Sequence, residues 1–247
     1  MNKAENIVKR AFYKKSLFTK NEIKDLLNTN NLSSNDNALR QLIYKLTKAG
    51  VLQSPRRGLY TTQVKPKFEA QEDAFLTKIR RLFVANFSEL EYCIWSTNWL
   101  NNFMIHQPFT HFYIFETESD VIDSVFHLFS DNKKKTFLNP SEIVLDKYVS
   151  QADSPIILEK LPGRSPVRKY RNAIYPKPEK ILVDIFCNQT VFYFYQGSEL
   201  VNIYSNITSK FHINYTTLFA YAEMRGKKEE IKTFIKENLQ INPVILK

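Results

Sequence analysis

The chain has 247 residues, 43% of them apolar, and a formal net charge of +10 at pH 7. That length and apolar content call for a packed core rather than disorder. No apolar run approaches the roughly 18 residues of a membrane span, MNKAENIVKR has no apolar stretch behind it of the signal-peptide kind, and Cys93 and Cys187 lack CxxC spacing. A cytoplasmic chain is therefore expected, with no membrane partner, no disulfide framework and no zinc site.

The charge is unevenly placed. Residues 1–67 hold 14 Lys and Arg against 4 Asp and Glu, whereas residues 68–247 hold 21 against 21, so the whole excess lies in the first quarter. A basic excess confined to one segment beside a neutral remainder is the electrostatic footprint of a polyanion partner, most often nucleic acid.

In chain order, Ala4 to Lys14 places Ile7, Val8, Ala11 and Phe12 on one helical face. Thr19 and Glu22 have the spacing of a capping box, which starts a second helix burying Ile23, Leu26 and Leu27. Ser33 and Asp36 repeat the cap in weaker form, and a third helix runs to about Ala49, where Gly50 supplies the left-handed end. On that helix Ala38, Leu39, Leu42, Ile43 and Leu46 form the apolar side. Asn37, Arg40, Gln41, Tyr44 and Lys48 form the other, a set able to reach base edges and phosphates in a major groove. Val51 and Leu52 then read as a strand, Arg56 and Arg57 as the tip of a basic turn, and Leu59 to Thr62 as a returning strand. Three short helices followed by strand, basic turn and strand are the order of a winged helix-turn-helix, with the two arginines placed for the phosphate backbone.

VKPKF, with Pro66, reads as a linker. The expected division is a winged helix-turn-helix over residues 1–62, a linker over 63–67 and a larger domain over 68–247. In that larger domain Glu69 to Phe87 forms a helix, YCIW a strand, Asn98 to Ile105 a helix, HFYIFE a strand and Val121 to Phe129 a helix. KTFL and PIILEK follow as strands, then a basic loop from Gly163 to Arg171, a helix from Lys177 to Cys187 and a helical tail. The fold class is therefore mixed α/β, in an α+β arrangement.

Signals for chemistry are weak. His106 and His111 lack a third ligand at metal spacing. Glu116, Glu118 and Asp120 stand where a nuclease could hold metal ions, but Ser119 and Asp120 also suit the start of the next helix. Glu159 and Lys160 are adjacent, without the one-residue gap of a restriction-type nuclease, and Gly197-Ser198 has no Asp-x-Asp pair behind it. No catalytic residue, metal ligand or cofactor is assigned.

RRGLY together with KPEKILVDIF resembles the AbiEi-type antitoxins of bacterial toxin-antitoxin and phage-abortive systems. The matching positions are Gly58 and Tyr60, then Pro178, Glu179, Lys180, Ile181, Leu182, Val183 and Asp184. EYCIWSTNWLNNFMIHQP and YQGSEL are similar to segments of an AbiEi-like branch. The resemblance implies a DNA-binding repressor of its own operon, bound to double-stranded operator DNA with inverted repeats among the open arrangements. It also implies neutralisation of a nucleotidyltransferase-like toxin, by direct contact or otherwise. A regulator whose larger domain senses a ligand or a protein, and a DNA-targeted nuclease, are the alternatives.

Overall fold

A computed structural model describes residues 3–13, 15–32 and 35–246. The expected helix position Lys14 and cap position Ser33 lie outside the described residues.

The N-terminal unit consists of α1 (Lys3–Ala11), β1 (Phe18–Thr19), α2 (Lys20–Thr29), α3 (Asp36–Lys48), β2 (Gln53–Arg56) and β3 (Leu59–Thr61). The capping box at α2 is complete. The Thr19 hydroxyl accepts from the Glu22 amide at 3.3 Å, and the Glu22 carboxylate accepts from the Thr19 amide at 2.8 Å. Asn35 caps α3 by accepting from the Ala38 amide at 2.8 Å. Val8, Phe12, Phe18, Ile23, Leu27, Leu39, Ile43 and Leu46 form the unit's own core, with the Phe12 and Phe18 rings stacked at 3.8 Å. Three antiparallel strands in the order β1-β3-β2 close it.

The first hairpin strand begins at Gln53, not at the expected Val51 and Leu52. Both of those side chains are buried in the unit's core, and their amides donate to the Leu46 carbonyl at 2.9 and 3.3 Å. Those two bonds satisfy an end-of-helix carbonyl, so ladder pairing starts one step later.

The larger body begins with α4 (Ala74–Asn86), whose N-cap Asp73 accepts from the Leu76 amide at 2.7 Å. Next come β4 (Tyr92–Ser96), a 3-10 helix (Thr97–Phe103) where a helix was expected over Asn98 to Ile105, β5 (Tyr113–Thr117), α5 (Ile122–Asp131) and β6 (Thr136–Leu138). One helical turn, α6 (Glu142–Val144), widens into a π-helix (Leu145–Val149) before β7 (Ile156–Lys160). The hairpin β8 (Val167–Tyr170) and β9 (Ala173–Pro176) leads into α7 (Pro178–Cys187), α8 (Ser198–Lys210), α9 (Tyr215–Met224) and α10 (Lys228–Asn238).

The body's sheet has the order β4-β5-β7-β6, antiparallel between β4 and β5 and parallel for the other two pairings. Every residue of β4, an edge strand, and of β5, a central one, is buried, as expected of strands covered on both faces. The core is strongly aromatic: Phe83 lies 4.9 Å from Phe115 and 5.2 Å from Tyr92, and Phe115 meets Phe129 edge-on at 5.0 Å. Such pairs add about 0.5–1.5 kcal/mol each beyond the area they bury. The molecule is mixed α/β, and none of its described helices is long and apolar enough to cross a membrane.

Polar contacts tie the unit to the body. The Arg56 guanidinium donates to the carbonyls of Val244 and Ile245 at 3.3 and 3.2 Å, and the Arg57 amide donates to the Thr216 hydroxyl at 2.8 Å. Lys65 Nζ donates to the Thr208 carbonyl at 2.7 Å, and the His212 amide to the Pro66 carbonyl at 2.9 Å. The hairpin end is thus docked on the body, and its first arginine is engaged inside the molecule. Replacing Arg56 with alanine should cost about 1–2 kcal/mol, the range for bonds from a charged donor partly open to water. Amide hydrogen exchange of Gln53–Thr61 should quicken in that variant while α3 stays unchanged.

Candidate nucleic-acid interface and a buried charge cluster

α3 turns Leu39, Ile43 and Leu46 into the unit's core. Asn37, Arg40, Gln41, Tyr44 and Lys48 are all exposed, Tyr44 to 66%. A ring so open on a small unit contributes little to folding and is free to pack on something else. Arg40 approaches Asp36 at 3.5 Å, and Asp36 also meets Lys20 at 2.8 Å. Those pairs are exposed and weak, so they leave Arg40 available to an outside partner.

Of the other predicted positions, Arg57 is exposed with its backbone held by Thr216, while Arg56 is half-buried on the body's carbonyls. Gly58 takes φ +82° at the turn, a conformation that a side chain strains. The structure places five exposed side chains on one helix and only one free guanidinium at the hairpin end, where two were expected. The reason is geometric: the β2 terminus leans on the chain around Ile245, a neighbour far away in sequence.

The acidic trio Glu116, Glu118 and Asp120 is not brought together. Glu118 accepts from the Glu91 amide at 2.9 Å and is exposed, as is Asp120, whereas Glu116 is buried. His106 pairs through Nδ1 with Glu199 at 2.9 Å. Burial acts to raise the Glu199 pKa, but hydrogen bonds from the His106 and Ile105 amides outweigh it and hold the carboxyl at about 2.

A charge cluster closes the body, one that sequence reading missed. Pro178 and Glu179 start α7 as expected, with Glu179 accepting from the Asn214 amide at 2.7 Å. One residue on, Lys180 is fully buried, and its Nζ donates to Glu116 at 2.6 Å and to Asp184 at 2.5 Å. Asp184 also accepts from the Tyr221 hydroxyl at 2.8 Å and from Arg225. Glu159 accepts from Asn188 Nδ2 at 2.7 Å. Burial pushes the Glu116 carboxyl up to about 7 even beside the Lys180 ammonium, and burial followed by the Asp184 charge raises Glu159. Lys180 stays well above its ordinary value because Asp184 and Glu116 outweigh its burial. The i, i+4 spacing of Lys180 and Asp184 was a visible signal of a pair on one helix face. Its burial was not visible, because Glu116 comes from another element. Among the described residues, no group of three or more His, Cys, Asp and Glu side chains is arranged to hold a metal ion.

Fold and site together define a mixed α/β protein that sets a basic helical unit beside a larger body closed around a buried ion cluster. The chain belongs to the family described as Family of unknown function (DUF6577), which it matches over residues 38–241. That span runs from the first turn of α3 through the hairpin and the body to just beyond α10. No curated protein matches the chain.

Proposed function

We propose that the chain is a sequence-specific DNA-binding antitoxin and autorepressor of a bacterial toxin-antitoxin operon, acting in the cytoplasm without catalysis. The observation that carries the DNA reading is a coincidence of place. The segment holding the whole net charge of +10 also presents a polar helix face, Asn37, Arg40, Gln41, Tyr44 and Lys48, with no packing role. The order α1, β1, α2, α3, β2, β3 with its small antiparallel sheet fits a winged helix, which lays the third helix in the major groove. The antitoxin part rests on the resemblance of Pro178 to Asp184 to the AbiEi-type motif, with a nucleotidyltransferase-like toxin as partner.

The test uses the full chain and a labelled duplex taken from upstream of its own gene. Affinity should fall with rising salt by about 0.9 log units per tenfold salt for each phosphate neutralised. Arg57→Ala should shallow that slope by about one such contact without changing sequence preference. No binding to any duplex at low salt ends the DNA reading. In cells that also express the adjacent toxin, a variant that no longer represses should still protect growth.

A second reading, a regulator whose body senses a small ligand, is favoured by a cleft of about 570 Å³ between the two units. Gln53 and Lys65 face it from one side, and Thr208, His212 and Asn242 from the other. A protein that represses but gives no protection from the toxin moves the assignment to this reading.

A further inference from the structure

The buried cluster is more than an internal brace, because it opens into a cavity. A space of about 140 Å³ at the carboxyl ends of β5 and β7 is lined by Glu116, Glu159, Asp184, Asn188, Phe192 and Arg225, among others. Carboxyl ends of parallel strands are where open α/β sheets take ligands. Glu116 and Glu159 are register partners on these two strands, so their carboxyls start from backbones about 4.8 Å apart. Like charges directly opposite one another are unfavourable. The fold keeps them there nevertheless.

The cations present do not complete the set. Lys180 binds Glu116 through Oε1 only, and both Lys180 and Arg225 are drawn to Asp184. Glu116 is 3% exposed, and its Oε2 has no hydrogen-bond partner among the described residues. Among the described residues Glu159 has only the Asn188 amide. Lys160 lines the rim and is exposed to solvent. A buried carboxyl oxygen without a partner costs more than a made bond contributes, so its retention beside a cavity points to something that supplies donors.

We propose that this cavity is a binding site for a guanidinium-type cation, either a free small molecule or an arginine side chain of a partner protein. A planar fork of N–H groups spans two carboxyls on adjacent strands, placing one donor on Glu159 and another on the Glu116 carboxyl, whose shielded Oε2 is presented to the cavity by rotation of the group. The Phe192 ring supplies a flat wall of the kind on which guanidinium groups stack. A metal ion fits less well. The Lys180 ammonium already occupies the space between Glu116 and Asp184. The proposal is independent of the DNA reading, since every residue in it belongs to the body.

Thermal unfolding of the full chain tests it, with methylguanidinium at low millimolar concentration as the free probe. A short peptide with a single arginine and blocked ends serves as the side-chain probe. Tetramethylammonium, a cation without N–H donors, is the control at equal ionic strength. The expected result is a saturable rise in Tm of about 3 °C at ten times Kd with methylguanidinium and none with the control. The rise should vanish in Glu116→Gln and shrink in Glu159→Gln, the second variant being half-buried and safer for folding. A rise with both probes identifies a pocket open to a partner's arginine, and a rise with methylguanidinium alone a small-molecule site. No rise beyond the control, or an equal rise in the wild type and in a folded Glu159→Gln or Glu116→Gln variant, overturns the proposal and leaves a cavity that holds a proton or water only.

Discussion

Replacing Lys180 with methionine should destabilise the fold by about 3–5 kcal/mol, the usual cost of removing one partner from a buried ion pair. The methionine fills much the same volume, so the loss comes from charge rather than from a cavity. Glu116 and Asp184 would remain in the interior without the ammonium that both contact. The loss should depend on pH in a definite sense. Glu116 has a folded-state pKa raised from 4.5 to about 7, so the native state keeps a proton that the unfolded chain releases. Its contribution to stability is fully present below the unfolded value and is lost as pH rises through the folded one. In Lys180→Met the raised pKa climbs further, so the deficit against wild type should be smaller near pH 5 than near pH 8, where the carboxylate must ionise. Urea denaturation of both proteins at the two pH values measures this. A deficit that is equal at both, or below about 1 kcal/mol, means that the cluster does not bear on stability as described. Lys9→Ala, which removes an exposed i, i+4 pair with Glu5, should stay within about 0.5 kcal/mol and serves as the control.

The second large effect falls on recognition. Arg40→Ala and Gln41→Ala should each cost about 1–3 kcal/mol on the preferred duplex and almost nothing on random sequence. Together they should lower specific affinity roughly a hundredfold or more if the two sites add. The side chains are exposed and make no core contact, so the thermal stability of the free protein should hardly move. Fluorescence anisotropy on specific and scrambled duplexes separates the two terms. Equal losses on both would show that α3 touches only phosphates, and the base-reading assignment would then be withdrawn.

The N-terminal helices were legible in the sequence because their signals are local. The Thr19 and Glu22 box, the spacing of Leu39, Ile43 and Leu46, and Gly50 at φ +69° each need only a few neighbouring residues to interpret. The hairpin of β8 and β9 was hidden for the opposite reason. Its strand VRKY has no alternating burial, and its two-residue turn is built from Arg171 and Asn172 at φ +49° and +68° rather than from a glycine. A basic loop was the natural reading of such a segment. The ion cluster was equally illegible, since Glu116 and Lys180 are 64 positions apart and meet only after β5 pairs with β7 and α7 packs behind them. The docking of Arg56 belongs to the same class, a contact set by tertiary geometry alone.

That last contact has a bearing on how the chain is made. The carbonyls that receive Arg56 lie 188 and 189 residues further along. At about 5–20 residues per second, synthesis of the intervening chain takes roughly 10 to 40 s. Throughout that interval the first unit, with a core of its own, can fold on the emerging chain while its hairpin has nothing to rest on. Its basic surface then stands alone near the translated message, itself a polyanion, before the body arrives to hold the hairpin. The order of synthesis thus gives the basic unit a period of independence that the finished protein no longer has.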